Sequence, residues 1–352
     1  LIISDALGMA GADMNHKPGE LEALAFRAGN DILLVPSSVD KGISAIRKEI
    51  RQGELSWERV EESCKKILAA KYWAGLAHPL DVSGIPERMN DNKFKVTRSG
   101  LYQGALTLLE NKEDIIPLKR LDTLKIATVV IGDTAKNDFQ RYIDLYLPSE
   151  HFNISRDASA DSYLELLREL GSYNLVIAGL HNTDMRASRN LGIRENSILF
   201  LNRLTSQKAS IIGIFASPYS LAKFNFGDQL KALLMAYEDK DLVQGLSAQL
   251  IFGGIPARGI LPVSTGNGYK AGDGISTGNA FRLRYGLPEE AGMDSRLMYR
   301  IDSLALDAVN VKATPGCQVL AARDGLVFYH KSFGYHTYGR EDTVRWNDLY
   351  DV

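Results

Sequence analysis

The sequence predicts an α/β protein in which parallel strands alternate with helices across more than one folding unit. Three observations carry this. Runs such as Ile126 to Ile131, Leu175 to Gly179 and Ser210 to Phe215 are continuously apolar and rich in Ile and Val, which marks strands buried on both faces. Stretches with three- and four-residue apolar spacing lie between them, the rhythm of strand-helix-strand units on a doubly wound sheet. Two breaks rich in glycine or proline, Gly75 to Asn92 and Thr265 to Thr277, divide a chain of 352 residues, a length that suits two or three domains. A hydrophobic content of 45% makes the chain globular. Its formal charge of -2, with no long basic run, argues against a nucleic-acid partner. No apolar run reaches the roughly 18 residues of a membrane span.

The chain opens on Leu1-Ile2-Ile3, expected to be the end of a buried strand, followed by Ser4-Asp5 and a turn of small residues. A carboxylate just past the carboxyl end of a buried strand is where barrel and doubly wound enzymes keep their chemistry. Asp5 is therefore a candidate catalytic group, and equally a candidate cap for the next helix. Pro18 and the spacing of Leu21, Leu24, Ala25 and Ala28 predict a helix that Gly29-Asn30 ends. Asp31 to Pro36 is a second short buried strand, parallel to the first by βαβ grammar. Asp40 to Gln52 is an amphipathic helix with Ile43, Ile46 and Ile50 on one side. Ser56 caps another, Trp57 to Tyr72, which places Val60, Cys64, Ile67 and Leu68 on one face.

Beyond the first break, a helix from Asn92 leads into a strand and turn over Ala105 to Lys112. Strands over 126–132, 175–179, 210–215 and 230–237 then alternate with helices over 162–170, 196–204 and 241–252, the last ended by Gly253-Gly254. After the glycine-rich Gly266 to Gly274 the texture changes. Met293 to Val309 is an amphipathic helix, and strands over 315–322 and 326–331 flank an Arg323-Asp324-Gly325 hairpin turn.

Candidate chemistry is sparse. His16 sits in a polar Asp13 to Lys17 loop and reads as a surface histidine. His181 with Asp184 follows a strand end and has the makings of a dyad, though a structural role is the simpler reading. Three Ser-x-x-Lys tetrads (Ser38/Lys41, Ser63/Lys66, Ser220/Lys223) are at the level chance supplies and lack partner motifs. No His and carboxylate spacing suggests a metal, no glycine-rich turn has the dinucleotide form, and no cofactor is expected. Cys64 and Cys317 are expected as buried free thiols.

Ile2-Ile3-Ser4-Asp5-Ala6-Leu7-Gly8-Met9 resembles the nucleophile signature of glycoside hydrolase family 3, in its β-N-acetylglucosaminidase branch. Ala28-Gly29-Asn30-Asp31-Ile32-Leu33-Leu34 resembles the last barrel strand of that family. Leu108-Leu109-Glu110-Asn111, Ile116-Pro117-Leu118 and Phe252 to Val263 resemble the start and finish of its second domain. From about Gly286 the helix and hairpin, with Phe333-Gly334-Tyr335, resemble the opening of a serine β-lactamase or penicillin-binding-protein domain. The resemblance implies the C-terminal part of a (β/α)8 barrel over residues 1–76, a linker over 77–91, and an α/β sandwich over 92–265. A second linker over 266–285 and the N-terminal part of a β-lactamase-like α+β domain over 286–352 complete the expectation.

It further implies a retaining glycosidase acting on terminal β-linked N-acetylglucosamine in a glycan, with Asp5 as nucleophile. The acid/base, a His-Asp pair on an earlier barrel loop in that branch, would lie upstream of Leu1, so the chain reads as a fragment holding half a site. The β-lactamase-like resemblance implies an extracytoplasmic location, and leaves a serine acyl hydrolase as an alternative activity of the whole protein. A non-catalytic carbohydrate-binding or scaffolding piece is the third reading, and the sequence does not set an oligomeric state.

Overall fold

The computed structural model describes residues 1–13, 16–76, 82–89 and 91–350. Residues 77–81 and 90 of the expected linker, part of the His16 loop and the last two residues lie outside the described residues. The chain forms two compact units, Leu1–Ile85 and Pro86–Val352.

The first unit is helical, with two extended segments. After α1 (Ala10–Asp13) come α2 (Glu20–Arg27), α3 (Val39–Arg51) and α4 (Trp57–Trp73); α5 (Ile85–Met89), inside the expected linker, straddles the division and lies mostly in the second unit. Gly19 enters α2 at φ 96°, and Glu22, buried, accepts its N–H at 2.9 Å, so the helix start is closed by one carboxylate. Ser56 caps α4 as expected, its hydroxyl accepting the Arg59 N–H at 3.2 Å. The two extended segments are parallel, as βαβ grammar requires, but meet at one bridge, Ile3 with Ile32. They are not buried: Leu1, Ile2 and Ile3 are each more than half exposed, and Leu34 and Val35 are exposed too. The reason is geometric. Two segments joined at a single bridge have no neighbouring strand in the unit to cover their apolar side chains, which therefore face solvent.

After α5, the second unit continues with α6 (Asn92–Ala105) and β1 (Thr107–Asn111). The succession is then β2 (Ile126–Ile131), α7 (Asp138–Asp144), β3 (Glu150–Ile154), α8 (Ala160–Glu169), β4 (Leu175–Leu180), α9 (Glu195–Gln207), β5 (Ser210–Ile214), β6 (Leu230–Met235) and α10 (Asp241–Phe252). The strands form one sheet in the order β1-β6-β5-β4-β2-β3, parallel except for β1, which runs antiparallel to β6. Every residue of β2, β4 and β5 is buried. That is why those strands read as unbroken apolar runs: both faces carry helices. One face packs α8 and α9 through Tyr163, Leu166, Phe200, Leu201 and Leu204. The other packs α7 and α10 through Phe139, Ile143, Val243, Leu246 and Leu250. Gly253 ends α10 at φ 82°, the left-handed conformation its sequence position predicts.

The order of strands contains one reversal. β2 leads through α7 on one face to β3, whereas β4, its other neighbour, leads through α9 on the opposite face to β5. The two loops leave the sheet in opposite directions and open a crevice at the carboxyl ends of β2 and β4.

The glycine-rich segment after Thr265 is an extended strap and not a free tether. Ile275 N–H donates to Leu108 O at 2.7 Å, Thr277 to Ala257 O and Phe281 to Gly253 O. A second, small sheet follows: β7 (Arg284–Tyr285) lies parallel to β9 (Leu326–Gly334), which pairs antiparallel with β8 (Gly316–Arg323) after α11 (Tyr299–Asn310). The hairpin turn holds Asp324 at φ 51° and Gly325 at φ 77°, as its Asp-Gly sequence requires. α11 starts six residues later than its apolar pattern suggests, because Asp294 caps a separate short turn at Ser295–Leu297.

Candidate active site

Asp5 stands in a turn at the carboxyl end of the first extended segment, with its side chain exposed to solvent. It does not cap α1, because its Oδ1 accepts the N–H of the next residue, Ala6, at 2.7 Å. Its other oxygen has no partner among the described residues. The turn is stitched to the second extended segment on both sides of Asp5. Ser4 N–H donates to Ile32 O (3.0 Å), Leu7 N–H to Leu34 O (2.9 Å) and Gly8 N–H to Val35 O (2.9 Å). Ser4 Oγ accepts Leu34 N–H at 3.0 Å. The result is a carboxylate with one oxygen oriented by the backbone and one without a partner among the described residues, on a turn whose backbone is fixed. Val35, at φ 44°, is a β-branched residue in the left-handed region, a strained conformation held beside this turn.

Beneath the second segment lies the best-satisfied charge of the unit. The Asp31 carboxylate is fully buried. It accepts Ser63 Oγ–H at 2.7 Å, Ile2 N–H at 2.9 Å and Arg59 Nη1 at 2.9 Å, with Lys66 Nζ at 3.5 Å. Hydrogen bonds from Ser63 and Ile2, aided by Arg59 and Lys66 and opposed by burial, hold its carboxyl well below the usual range. Arg59 also reaches Gly29 O at 2.8 Å and lies over the Phe26 ring. The Ser63/Lys66 tetrad is thus a structural pin, with Ser63 bound to Asp31 and Lys66 shared between Glu62 at 2.9 Å and Asp31 at 3.5 Å. In the other tetrads Lys223 binds Asn190, and Ser38 begins α3.

The remaining candidates fall as follows. His16 is half-exposed and has no hydrogen-bond partner among the described residues. His181 does not pair with Asp184, whose carboxylate is taken by Arg186 and Arg189. Its Nδ1 instead meets Asp239 Oδ1 at 2.8 Å, a partner 58 residues away that no local motif announces. The imidazole is completely buried and stacks on Phe215 with ring centres 4.2 Å apart, so it cannot protonate a leaving group. Cys64 is exposed and Cys317 half-buried, both as free thiols, which corrects the expectation of burial: the face of α4 that carries Cys64 and Leu68 looks to solvent. Among the described residues, one group of side chains is close enough to hold a metal ion: Asp133, His181 and Asp239. Sequence spacing could not have found it, since each residue comes from a different strand end.

The second unit also has a groove of about 780 Å³ between α7 and β9. It is lined by Tyr142, Tyr285, His330 and Trp346 together with Arg141 and Lys331. Its size is that of a small-molecule site, but Arg141 is held by Asp138 and Lys331 by Asp302.

Residues 1–70 match the model of the glycosyl hydrolase family 3 N-terminal domain. A β-N-acetylglucosaminidase/β-glucosidase of Cellulomonas fimi is 26% identical over 122 residues, 34% of this chain and 22% of that protein. Among solved structures, a family 3 β-N-acetylglucosaminidase from Paenibacillus sp. str. FPU-7 superposes with a TM-score of 0.55 at 16% identity, covering 74% of this chain and 50% of its own. The β-glucosidase from Listeria innocua in complex with isofagomine gives 0.55 at 18% identity, covering 75% and 42%. These structural likenesses show a shared α/β fold, and the chain spans half or less of each relative's length. Over residues 1–70 the chain is therefore similar to the glycosyl hydrolase family 3 N-terminal domain, and the family 3 homologues are glycoside hydrolases acting on O-glycosyl bonds.

Proposed function

We propose that this chain is part of a retaining glycoside hydrolase that removes terminal β-linked N-acetylglucosamine, with Asp5 as its nucleophile. The observation that carries the reading is the Asp5 turn. It lies within the segment that matches the family model, at the carboxyl end of a strand parallel to its neighbour, and presents one unpartnered carboxylate oxygen. In the reaction that oxygen attacks the anomeric carbon as the bond to the leaving oxygen breaks, and a separate acid protonates the leaving oxygen. Water, deprotonated by the same group acting as base, then displaces Asp5 from the glycosyl-enzyme. Two inversions give net retention.

The acid/base belongs, in this reading, to barrel strands earlier in the whole protein, and the chain alone is inactive. Residues 1–76 are then the end of a (β/α)8 barrel and residues 92–265 its α/β sandwich. Residues 286–352 open a β-lactamase-like domain, for which the order α11, β8, β9 is the support. The preference for N-acetylglucosamine over glucose rests on the Ser4-Asp5-Ala6-Leu7-Gly8-Met9 sequence and on the name of the Paenibacillus relative. A glycan-rich cell envelope, outside the cytoplasm, is the setting that fits such a substrate.

The test is hydrolysis of chromogenic β-N-acetylglucosaminide and β-glucoside by the whole protein, with and without Asp5→Asn. The reading requires turnover of the N-acetyl sugar that Asp5→Asn lowers by about 10³-fold or more. Full activity in Asp5→Asn would remove Asp5 from the role.

A further inference from the structure

The crevice at the carboxyl ends of β2 and β4 holds three side chains that the glycosidase reading does not use. Asp133 follows β2, His181 follows β4, and Asp239 reaches in from the loop after β6. We propose that Asp133, His181 and Asp239 form a binding site for one divalent first-row cation of the Mn²⁺ or Zn²⁺ class, which ties together the ends of three strands.

Four observations converge on it. The reversal of strand order opens this crevice and no other in the sheet, and such a switch point is where doubly wound proteins bind ligands. One ligand atom from each residue lies within 4.8 Å of the other two. Ligands on opposite sides of an ion at about 2.0–2.4 Å are at most about 4.8 Å apart, so these atoms already have the spread of a coordination shell. Third, the charge is uncompensated. Asp133 makes no ion pair or hydrogen bond among the described residues, and the only charged or basic partner of Asp239 is His181.

Fourth, His181 is built in place. Its side chain is wholly buried, stacked on Phe215 and packed near Phe139, with Nδ1 directed at the carboxylates. Position 179 must be glycine for the ring to fit, because a Cβ there would stand 2.3 Å from Nε2. Nε2 has no partner. The donor set of two carboxylates and one imidazole suits Mn²⁺ or Zn²⁺ better than Ca²⁺, which prefers oxygen alone. On binding, Nδ1 exchanges its hydrogen bond to Asp239 for the metal, and the neutral ring then carries its single proton on Nε2. Asp239 stays oriented by Asn182 N–H at 2.6 Å and Gln244 Nε2 at 2.7 Å. Burial pushes its carboxyl up, but these bonds and His181 outweigh it and keep it below the usual range.

The test is titration of the EDTA-stripped chain with MnCl₂, read by calorimetry and by loss of the free Mn²⁺ electron paramagnetic resonance signal. It is run on the unaltered chain, on Asp133→Asn, whose side chain holds nothing else, and on Asp122→Asn, an exposed carboxylate outside the crevice. The proposal expects one Mn²⁺ per chain, binding weakened about tenfold or more in Asp133→Asn, and unchanged binding in Asp122→Asn. It is overturned if the unaltered chain shows no saturable binding below about 1 mM, or if Asp133→Asn binds as tightly as the unaltered chain.

Discussion

Asp31 shows how a single residue can hold a unit together. Its carboxylate gathers α4 through Arg59, Ser63 and Lys66 and the first extended segment through Ile2 N–H. Because its carboxyl is held below the ordinary range, its stabilising effect is complete above the unfolded-chain value near 4 and is lost as pH falls through the depressed folded value. Acid titration followed by amide exchange in α4 should therefore show protection falling only at strongly acid pH. Asp31→Asn should lack that step and be less protected at pH 7, since Arg59 would face a neutral amide. Gly179 is the matching case in the second unit. Gly179→Ala places a methyl 2.3 Å from His181 Nε2, and the imidazole must leave its stack on Phe215. A loss of about 1–3 kcal/mol in urea unfolding of the sheet is expected; a neutral result would mean that the ring has room to shift. At this scale Asp5 was legible as a carboxylate after a strand. Asp239 as the partner of His181 was not, because the two meet only when β4 and β6 are placed in one sheet.

Elements were legible where burial is two-sided. The strands over 126–131, 175–180 and 210–214 are fully buried, largely apolar runs because helices cover both faces, the strand over 230–235 is apolar but for Lys231, and α10 ends at the expected glycine. Capping carries the same lesson: Ser56→Ala should cost α4 about 1 kcal/mol, visible as a lower unfolding midpoint, and Ser56→Asp should restore it. An unchanged midpoint would show that the Arg59 N–H finds another acceptor. Elements escaped notice where the pattern is thin. β3 is an edge strand, Glu-His-Phe-Asn-Ile, only one of whose residues is fully buried, and α7 is seven residues long with Phe139 and Ile143 as its apolar anchors. Leu1 to Ile3 and Leu34-Val35 failed in the opposite way. Their apolar sequence predicts a covered strand, and here nothing from the same unit covers them.

That exposure belongs to the whole molecule. The first unit shows Ile2, Ile3, Leu34, Val35, Trp57, Leu68, Tyr72 and Trp73 to solvent, whereas the sheet of the second unit is sealed on both faces. Hydrogen exchange should separate them: amides of 1–8 and 31–35 are expected to exchange at least about 10²-fold faster than those of β2, β4 and β5. Equal protection would mean that the apolar face of the first unit is covered after all. An unpaired apolar edge of this kind is what the end of a barrel would present, and it agrees with the match of residues 1–70 to the family 3 N-terminal domain. The central claim, that Asp5 is the nucleophile of a β-N-acetylglucosaminidase, is tested most directly by assaying the whole protein on chromogenic β-N-acetylglucosaminide and β-glucoside, each with Asp5 and with Asp5→Asn. The account predicts turnover of the N-acetyl sugar, little of the glucoside, and loss of both in Asp5→Asn. Turnover that survives Asp5→Asn, or none on either sugar, would contradict it.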